Sequence, residues 1–237
     1  MIAEGRDLFD FNDWEPRRPF KPFTQRLVDQ ILFDEKLRAR SKSQNYYKDE
    51  QTLYTREEIK AARLLSKNLD GLTYLTPELS RMYPDAVFLG LARNGFAVCE
   101  GHLRRGHTLE KIAARYEKGS RLMLEHSKSI PNYHLLRYED LLAAPLETLK
   151  KVYRLAGVEI DRVKKVRLED KKVMGKDGDR RTVQQGEWKK MIWYGLEEFD
   201  KHFRSDANEN QIKRLTEEQK GLIRERCASS LGKLGYL

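Results

Sequence analysis

Ala86-Val87-Phe88-Leu89-Gly90-Leu91-Ala92 is a continuous apolar run that ends at Arg93-Asn94-Gly95. Apolar residues at every position, rather than at alternate ones, predict a strand covered on both faces, as in a parallel sheet. Upstream, Thr76-Pro77-Glu78 reads as an N-cap, an N1 proline and an acidic first turn, opening a helix that stops at Pro84. Downstream, Thr108 caps a predicted helix carrying Leu109, Ile112, Ala113 and Tyr116 and continuing past Leu122. His134-Leu135-Leu136-Arg137-Tyr138 is the next strand. Pro145 then stands at N1 of a helix with Leu146, Leu149, Val152 and Tyr153 inward, closed by Gly157. Strand, helix, strand, helix in this rhythm predicts an α/β fold whose parallel strands are joined by crossover helices.

The flanks are more irregular. Pro16-Arg17-Arg18-Pro19-Phe20-Lys21-Pro22 holds three of the seven prolines and reads as an extended arm. A helix is predicted from Thr24, with Leu27, Val28, Ile31, Leu32 and Leu37 at helical spacing, and a polar loop from Arg38 to Tyr54. Thr55-Arg56-Glu57-Glu58 and Thr216-Glu217-Glu218-Gln219 are capping boxes, the second opening a last helix that runs to Gly232. Leu64-Leu65-Ser66-Lys67 reads either as a short strand or as the end of the preceding helix.

With 237 residues, 39% of them apolar, the chain can build one sizeable domain, and a disulfide-stapled miniprotein is excluded. Cys99 and Cys227 share no metal-ligand spacing, so no metal site is expected, and their sparse use fits a reducing compartment. No apolar run approaches the ~20 residues of a membrane span, and Met1-Ile2-Ala3-Glu4-Gly5-Arg6-Asp7 is no signal peptide. A cytoplasmic protein is expected.

Charge is the unusual feature. The chain carries 46 Lys and Arg against 37 Asp and Glu, a net charge of +9. Residues 161–190 alone hold 11 basic and six acidic side chains, which is +5 of that total. Such a segment is either a solvated loop or a loop that closes over an anion. Its basic residues lack interleaved aromatics before Trp188, and the chain shows no nucleic-acid-binding motif, so no nucleic-acid partner is expected.

Three blocks carry a resemblance to a known family. Tyr83-Pro84-Asp85-Ala86-Val87-Phe88-Leu89-Gly90-Leu91-Ala92-Arg93-Asn94-Gly95, Arg137-Tyr138-Glu139-Asp140-Leu141-Leu142-Ala143-Ala144-Pro145 and Gly186-Glu187-Trp188-Lys189 occur in this order. Together with the ending Leu234-Gly235-Tyr236 they resemble the central and C-terminal motifs of sulfotransferases, over about residues 64–237. The resemblance implies a three-layer α/β fold of the P-loop nucleoside triphosphate hydrolase type, with a parallel sheet and crossover helices. It implies a sulfotransferase-like α/β domain over residues 55–237, preceded by a partly extended arm and helix over residues 1–54. It further implies transfer of a sulfuryl group from 3′-phosphoadenosine 5′-phosphosulfate, without a metal, to a hydroxyl or amine of a small-molecule or glycan acceptor.

By the same resemblance Arg93 grips the 3′-phosphate of the donor, where backbone N–H groups of the following helix would add to it. Gly101 stands where the family has a serine as second ligand, so a hydroxyl contact is lost. Tyr138 matches a tyrosine near the adenine, and Glu139 and Asp140 read as caps of the turn that follows. Counting back from Gly186, Arg181 falls on the arginine of the family's basic pair and Thr182 on its lysine, with Arg180 placed to share the role. Lys67 matches the lysine that reaches the transferred group, but Leu69 stands where small-molecule members have their basic histidine. His102, His107, His126 and His134 read as surface or core residues, and no general base is assigned.

One part of the pattern is missing. The family's phosphate loop is rich in Gly, Ser and Thr, yet the first sixty residues hold one glycine, Gly5. The chain thus resembles a sulfotransferase without its N-terminal βα unit. A fragment, a mis-started product and a relative that binds nucleotide or a partner without transfer all stay open, as do the oligomeric state and the acceptor.

Overall fold

The computed structural model describes residues 9–10, 15–16, 19–46, 55–67, 70–169, 191–202 and 206–237. The chain divides into two compact units, Met1–Ala86 with Lys128–Asn132, and Val87–Ser127 with Tyr133–Leu237.

In the first unit, β1 (Phe9–Asp10) and β2 (Glu15–Pro16) pair antiparallel. Helix α1 spans Pro22–Tyr46, so the loop expected from Arg38 is helical through its first part. The segment lacks glycine and proline, and nothing local ends the helix once it has begun. Helix α2 (Arg56–Ala61) has the expected capping box, with the Thr55 side chain accepting from the Glu58 amide at 3.2 Å. Leu64–Lys67 forms neither strand nor helix.

A 3-10 turn, Asp70–Leu75, leads into α3 (Thr76–Met82). Thr76 does not cap it: its hydroxyl donates to the Thr73 carbonyl at 2.8 Å, and Leu75 is the N-cap residue. Glu78 is 1% exposed, is paired with Arg81 at 2.8 Å and accepts the Phe20 amide at 3.4 Å. A buried carboxylate persists only where such partners replace its water.

The second unit is built on β3 (Phe88–Ala92) and β4 (Tyr133–Arg137), which pair parallel from Phe88 opposite Tyr133 to Ala92 opposite Arg137. Parallel strands need a crossover, and α4 (Gly95–Leu103) and α5 (Leu109–Ser129) provide it. The expected strand of residues 134–138 is therefore displaced by one, and Tyr138 opens α6 (Tyr138–Ala143) instead of ending the strand. Among the described residues the parallel sheet has two strands. Gly90 and Ala92 are buried, while Leu89 and Leu91 are 40% and 54% exposed, so among the described residues β3 is covered on one face rather than on both.

Helix α7 (Pro145–Leu155) begins at its proline and is closed by Gly157 at φ +64°, the left-handed conformation that favours glycine. After a 3-10 turn (Ile160–Arg162), β5 (Lys165–Glu169) and β6 (Met191–Gly195) pair antiparallel. The turn Leu196–His202 and the short α8 (Ala207–Ile212) lead to α9 (Glu217–Lys233), which starts at the expected capping box of Thr216 and Gln219.

The core joins three helices. Phe96 and Cys99 of α4, Ile112, Ala113 and Tyr116 of α5, and Ile223, Cys227 and Leu231 of α9 form one buried cluster. Ile223 and Leu231 are wholly buried, and each such side chain contributes about 1.5–3 kcal/mol of transfer free energy. This packing fixes α4, and with it the turn that follows β3.

Candidate functional site

Arg93 stands at the carboxyl end of β3, where open α/β sheets bind ligands. The Asn94 side chain caps α4 by accepting the Phe96 amide at 3.0 Å, which sets the sharp exit from the strand. The Tyr116 hydroxyl donates to the Arg93 carbonyl at 3.0 Å and thereby pins the backbone at the same point. Burial raises the Tyr116 pKa above the ordinary phenol value, so it keeps the proton it donates.

The Arg93 guanidinium is held by side chains from two other elements. Its Nε donates to Asn208 Oδ1 at 2.8 Å, one Nη donates to Gln211 Oε1, and its carbon lies 4.7 Å from the centre of the Tyr138 ring. These described partners are two amide oxygens and an aromatic face, none of them an anion. Such groups orient a guanidinium while leaving its charge unneutralised.

Polar contacts continue on both sides of it. Asn208 Nδ2 donates to Glu139 Oε1, which also accepts the Asn94 amide at 2.9 Å. Glu139 Oε2 accepts the Tyr236 hydroxyl at 2.5 Å, and the Arg137 guanidinium stacks 4.9 Å from the Tyr236 ring centre. Burial and the Glu139 hydrogen bond raise the Tyr236 pKa, again favouring the protonated donor. Tyr236 reaches Glu139 because Gly235, at φ +73°, reverses the chain after α9, with the Tyr236 amide returning to the Leu231 carbonyl at 2.8 Å. On the other side Gln211 Nε2 donates to Glu100 Oε2 at 3.0 Å, and Glu100 Oε1 is paired with Arg104 at 2.7 Å and Arg214 at 3.4 Å.

Arg93, Tyr138 and Gly101 are therefore neighbours, the last through Gln211, whose Nε2 lies 3.2 Å from where a Cβ on Gly101 would be. Glu139 does not cap its own turn, since α6 has no side-chain cap; it joins the start of α6 to β3, α8 and the chain end. Two of the amides at the start of α4 are already engaged, that of Asn94 by Glu139 and that of Phe96 by Asn94. The donors expected of the helix N-terminus are to that extent turned inward. Lys67 is exposed on the irregular end of the segment after α2, in the first unit. Arg180, Arg181 and Gly186 lie outside the described residues.

Glu100, Asn208 and Gln211 escape a reading of the sequence, and Tyr236 enters it only as part of the matching chain end, with no role at the site. The one local sign is that Asn208 and Gln211 are three residues apart, which puts both amides on one face of a helix. What that face meets is set by the packing of α8 on α4.

The chain matches the model of the sulfotransferase family over residues 10–162. It belongs to the sulfotransferase family. The match includes the Arg93 and Tyr138 blocks, begins well before the motif resemblance at residue 64, and ends before Gly186. No curated protein and no solved structure matches the chain. The general function of the family is sulfotransfer, and the parallel pair β3–β4 with its helical crossover agrees with an α/β fold. Among the described residues no cluster of His, Cys, Asp and Glu could hold a metal ion, and no helix is long and apolar enough to cross a membrane.

Proposed function

We propose that this sulfotransferase-family chain binds 3′-phosphoadenosine 5′-phosphosulfate and transfers its sulfuryl group to a hydroxyl or amine of a small-molecule or glycan acceptor. The observation that carries the reading is Arg93 at the carboxyl end of β3, charged, oriented by neutral amides and stacked on Tyr138. That combination suits a phosphate beside a flat base, because the guanidinium fork matches phosphate oxygens and an aromatic ring can stack on adenine.

In this reading Arg93 takes the 3′-phosphate and Tyr138 lies near the adenine. Arg180, Arg181 and Gly186 form a second wall, within the stretch that holds more than half of the net charge. Lys67 stabilises the charge that develops on the transferring sulfuryl group, as cations do in phosphoryl transfer. The donor supplies an activated sulfuryl group whose sulfur–oxygen bond to phosphate breaks as the bond to the acceptor forms. The acceptor proton passes to a base that no residue of this chain is assigned to be. The reading carries with it a three-layer fold of the P-loop type, a catalytic domain over residues 55–237 and a cytoplasmic setting.

Calorimetry with the product nucleotide, adenosine 3′,5′-bisphosphate, tests the site. Binding is expected for the chain as it stands, and Arg93→Ala should abolish it. Absence of binding at millimolar nucleotide, or an Arg93→Ala variant that binds as well as the parent, would sink the assignment.

A second reading, nucleotide binding without transfer, is favoured by the first sixty residues, which hold one glycine and no Gly/Ser/Thr-rich phosphate loop. A donor labelled in its sulfuryl group separates the two. Bound nucleotide with no label released or transferred supports the second.

A further inference from the structure

Gly101 and Gln211 are related in a way that neither position explains alone. Gly101 lies inside α4, where glycine is costly, and its φ is not in the left-handed region that would call for it. What uses the missing side chain is Gln211 of α8, whose Nε2 lies 3.2 Å from the position of a Cβ at residue 101. A Cβ there would force that nitrogen to move by a few tenths of an ångström.

The Gln211 carboxamide is fixed in orientation. Its oxygen accepts from the Arg93 guanidinium, and its nitrogen donates to the Glu100 carboxylate at 3.0 Å. Reversing the amide would set a donor against a donor and an acceptor against an acceptor, so both neighbours hold it one way round. Glu100 is itself 3% exposed and anchored by Arg104 and Arg214. The amide nitrogen carries two hydrogens, and Glu100 takes one. Among the described residues this hydrogen-bonded chain brings the guanidiniums of Arg93, Arg104 and Arg214 together with the carboxylates of Glu100 and Glu139.

We infer that Gln211 is a further anion-binding residue of the Arg93 site: its second amide hydrogen, beside the bare Cα of Gly101, is donated to the phosphate that Arg93 binds. Residue 101 then contributes space, and α8 contributes the hydrogen bond. The inference rests on the nucleotide reading above and adds to it a ligand from a different element of the fold. Gln211 has a second effect as a positioning residue, because its oxygen aims the guanidinium.

Calorimetry with adenosine 3′,5′-bisphosphate and with adenosine 5′-monophosphate, which lacks the 3′-phosphate, tests the inference on the full chain. Gln211→Ala is expected to weaken the bisphosphate by on the order of tenfold, the worth of one hydrogen bond to a charged group, and to leave the monophosphate unchanged. Gly101→Ser combined with Gln211→Ala should recover most of the loss, since the hydroxyl then enters the vacated space, whereas Gly101→Ser alone should not tighten binding. If Gln211→Ala binds the bisphosphate like the parent while Arg93→Ala does not, the inference is overturned and the site stands. Equal weakening of both nucleotides by Gln211→Ala, or no recovery in the double variant, also overturns it by showing a merely structural role. If the parent chain binds no bisphosphate, the nucleotide reading fails and takes the inference with it.

Discussion

Arg93 and Asn208 lie 115 positions apart in the chain and are joined by a hydrogen bond of 2.8 Å from Nε to Oδ1. Asn208 uses both ends of its amide, since its nitrogen donates to Glu139. It thus stands between a guanidinium at the end of β3 and a carboxylate at the start of α6. A direct Arg93–Glu139 ion pair would cancel the charge that an anion needs. An interposed amide orients both groups without pairing them directly.

Asn208→Ala removes the partner of both groups at a site that is 8% exposed. We expect a loss of about 1–3 kcal/mol, the cost of leaving part-buried polar groups unpaired. Asn210, whose amide bonds only to Asp206 one turn away among the described partners, serves as the control and should lose less when changed to Ala. Urea unfolding of the two variants checks the difference, and equal losses would contradict the bridging role.

Two glycines should respond to alanine in opposite directions. A Cβ on Gly95 would lie 2.6 Å from the Tyr116 ring and 2.9 Å from Leu231, both in the core. Gly95→Ala should cost about 1–3 kcal/mol through overpacking, and should also disturb the Tyr116 hydrogen bond to Arg93. Gly221, within α9, has nothing within 4 Å of a Cβ, so Gly221→Ala should stabilise by about 0.5–1 kcal/mol through helix propensity. Thermal melting of the pair reads both signs.

His126 is 5% exposed, its Nδ1 has no hydrogen-bond partner among the described residues, and its ring meets Tyr133 edge-on with centroids 5.5 Å apart. Burial lowers its pKa from 6.5, and the nearby Glu125 charge offsets this in part. The unfolded chain therefore takes up this proton first as pH falls. Stability from His126 is complete above about pH 6.5 and is lost progressively below it, down to the folded-state pKa. His126→Phe keeps an aromatic ring against Tyr133 but does not titrate. Its stability should fall less than that of the parent between about pH 7 and pH 5, whatever its absolute value. A parallel decline in both would exclude His126 as the source.

Cys99 and Cys227 are fully buried, and burial pushes both thiols up to about 12. Since the thiolate is the reactive form, a water-soluble thiol reagent should leave the folded protein unmodified. Both thiols should react after denaturation. Rapid modification of the native chain would show that the α4–α5–α9 core opens.

Much of the local structure was legible in the sequence. The capping boxes at Thr55 and Thr216, the proline start of α7 and its glycine stop all depend on neighbouring residues, and each lies where its short pattern indicates. The parallel pairing of the two apolar strands follows from their order and the helical stretch between them. Where the reading erred, a missing stop signal or a nearby carbonyl decided two of the cases, and packing decided the third. Helix α1 continued through polar residues that read as loop, Thr76 turned its hydroxyl to a preceding carbonyl, and β3 was left half exposed although its composition suggested cover on both faces.

The sequence by itself determined that an arginine follows an apolar strand, that a second apolar strand runs parallel to it, and that a glycine stands eight residues after that arginine. Periodicity and capping reach only a few residues along the chain, so this much needs no tertiary information. Only the tertiary structure decided what surrounds Arg93. Asn208 and Gln211 arrive on α8 because the α4–α5–α9 core and the turns around it set where α8 lies. Tyr236 arrives because Gly235 reverses the chain. These partners are more than a hundred residues from Arg93, and nothing local to either segment encodes their meeting.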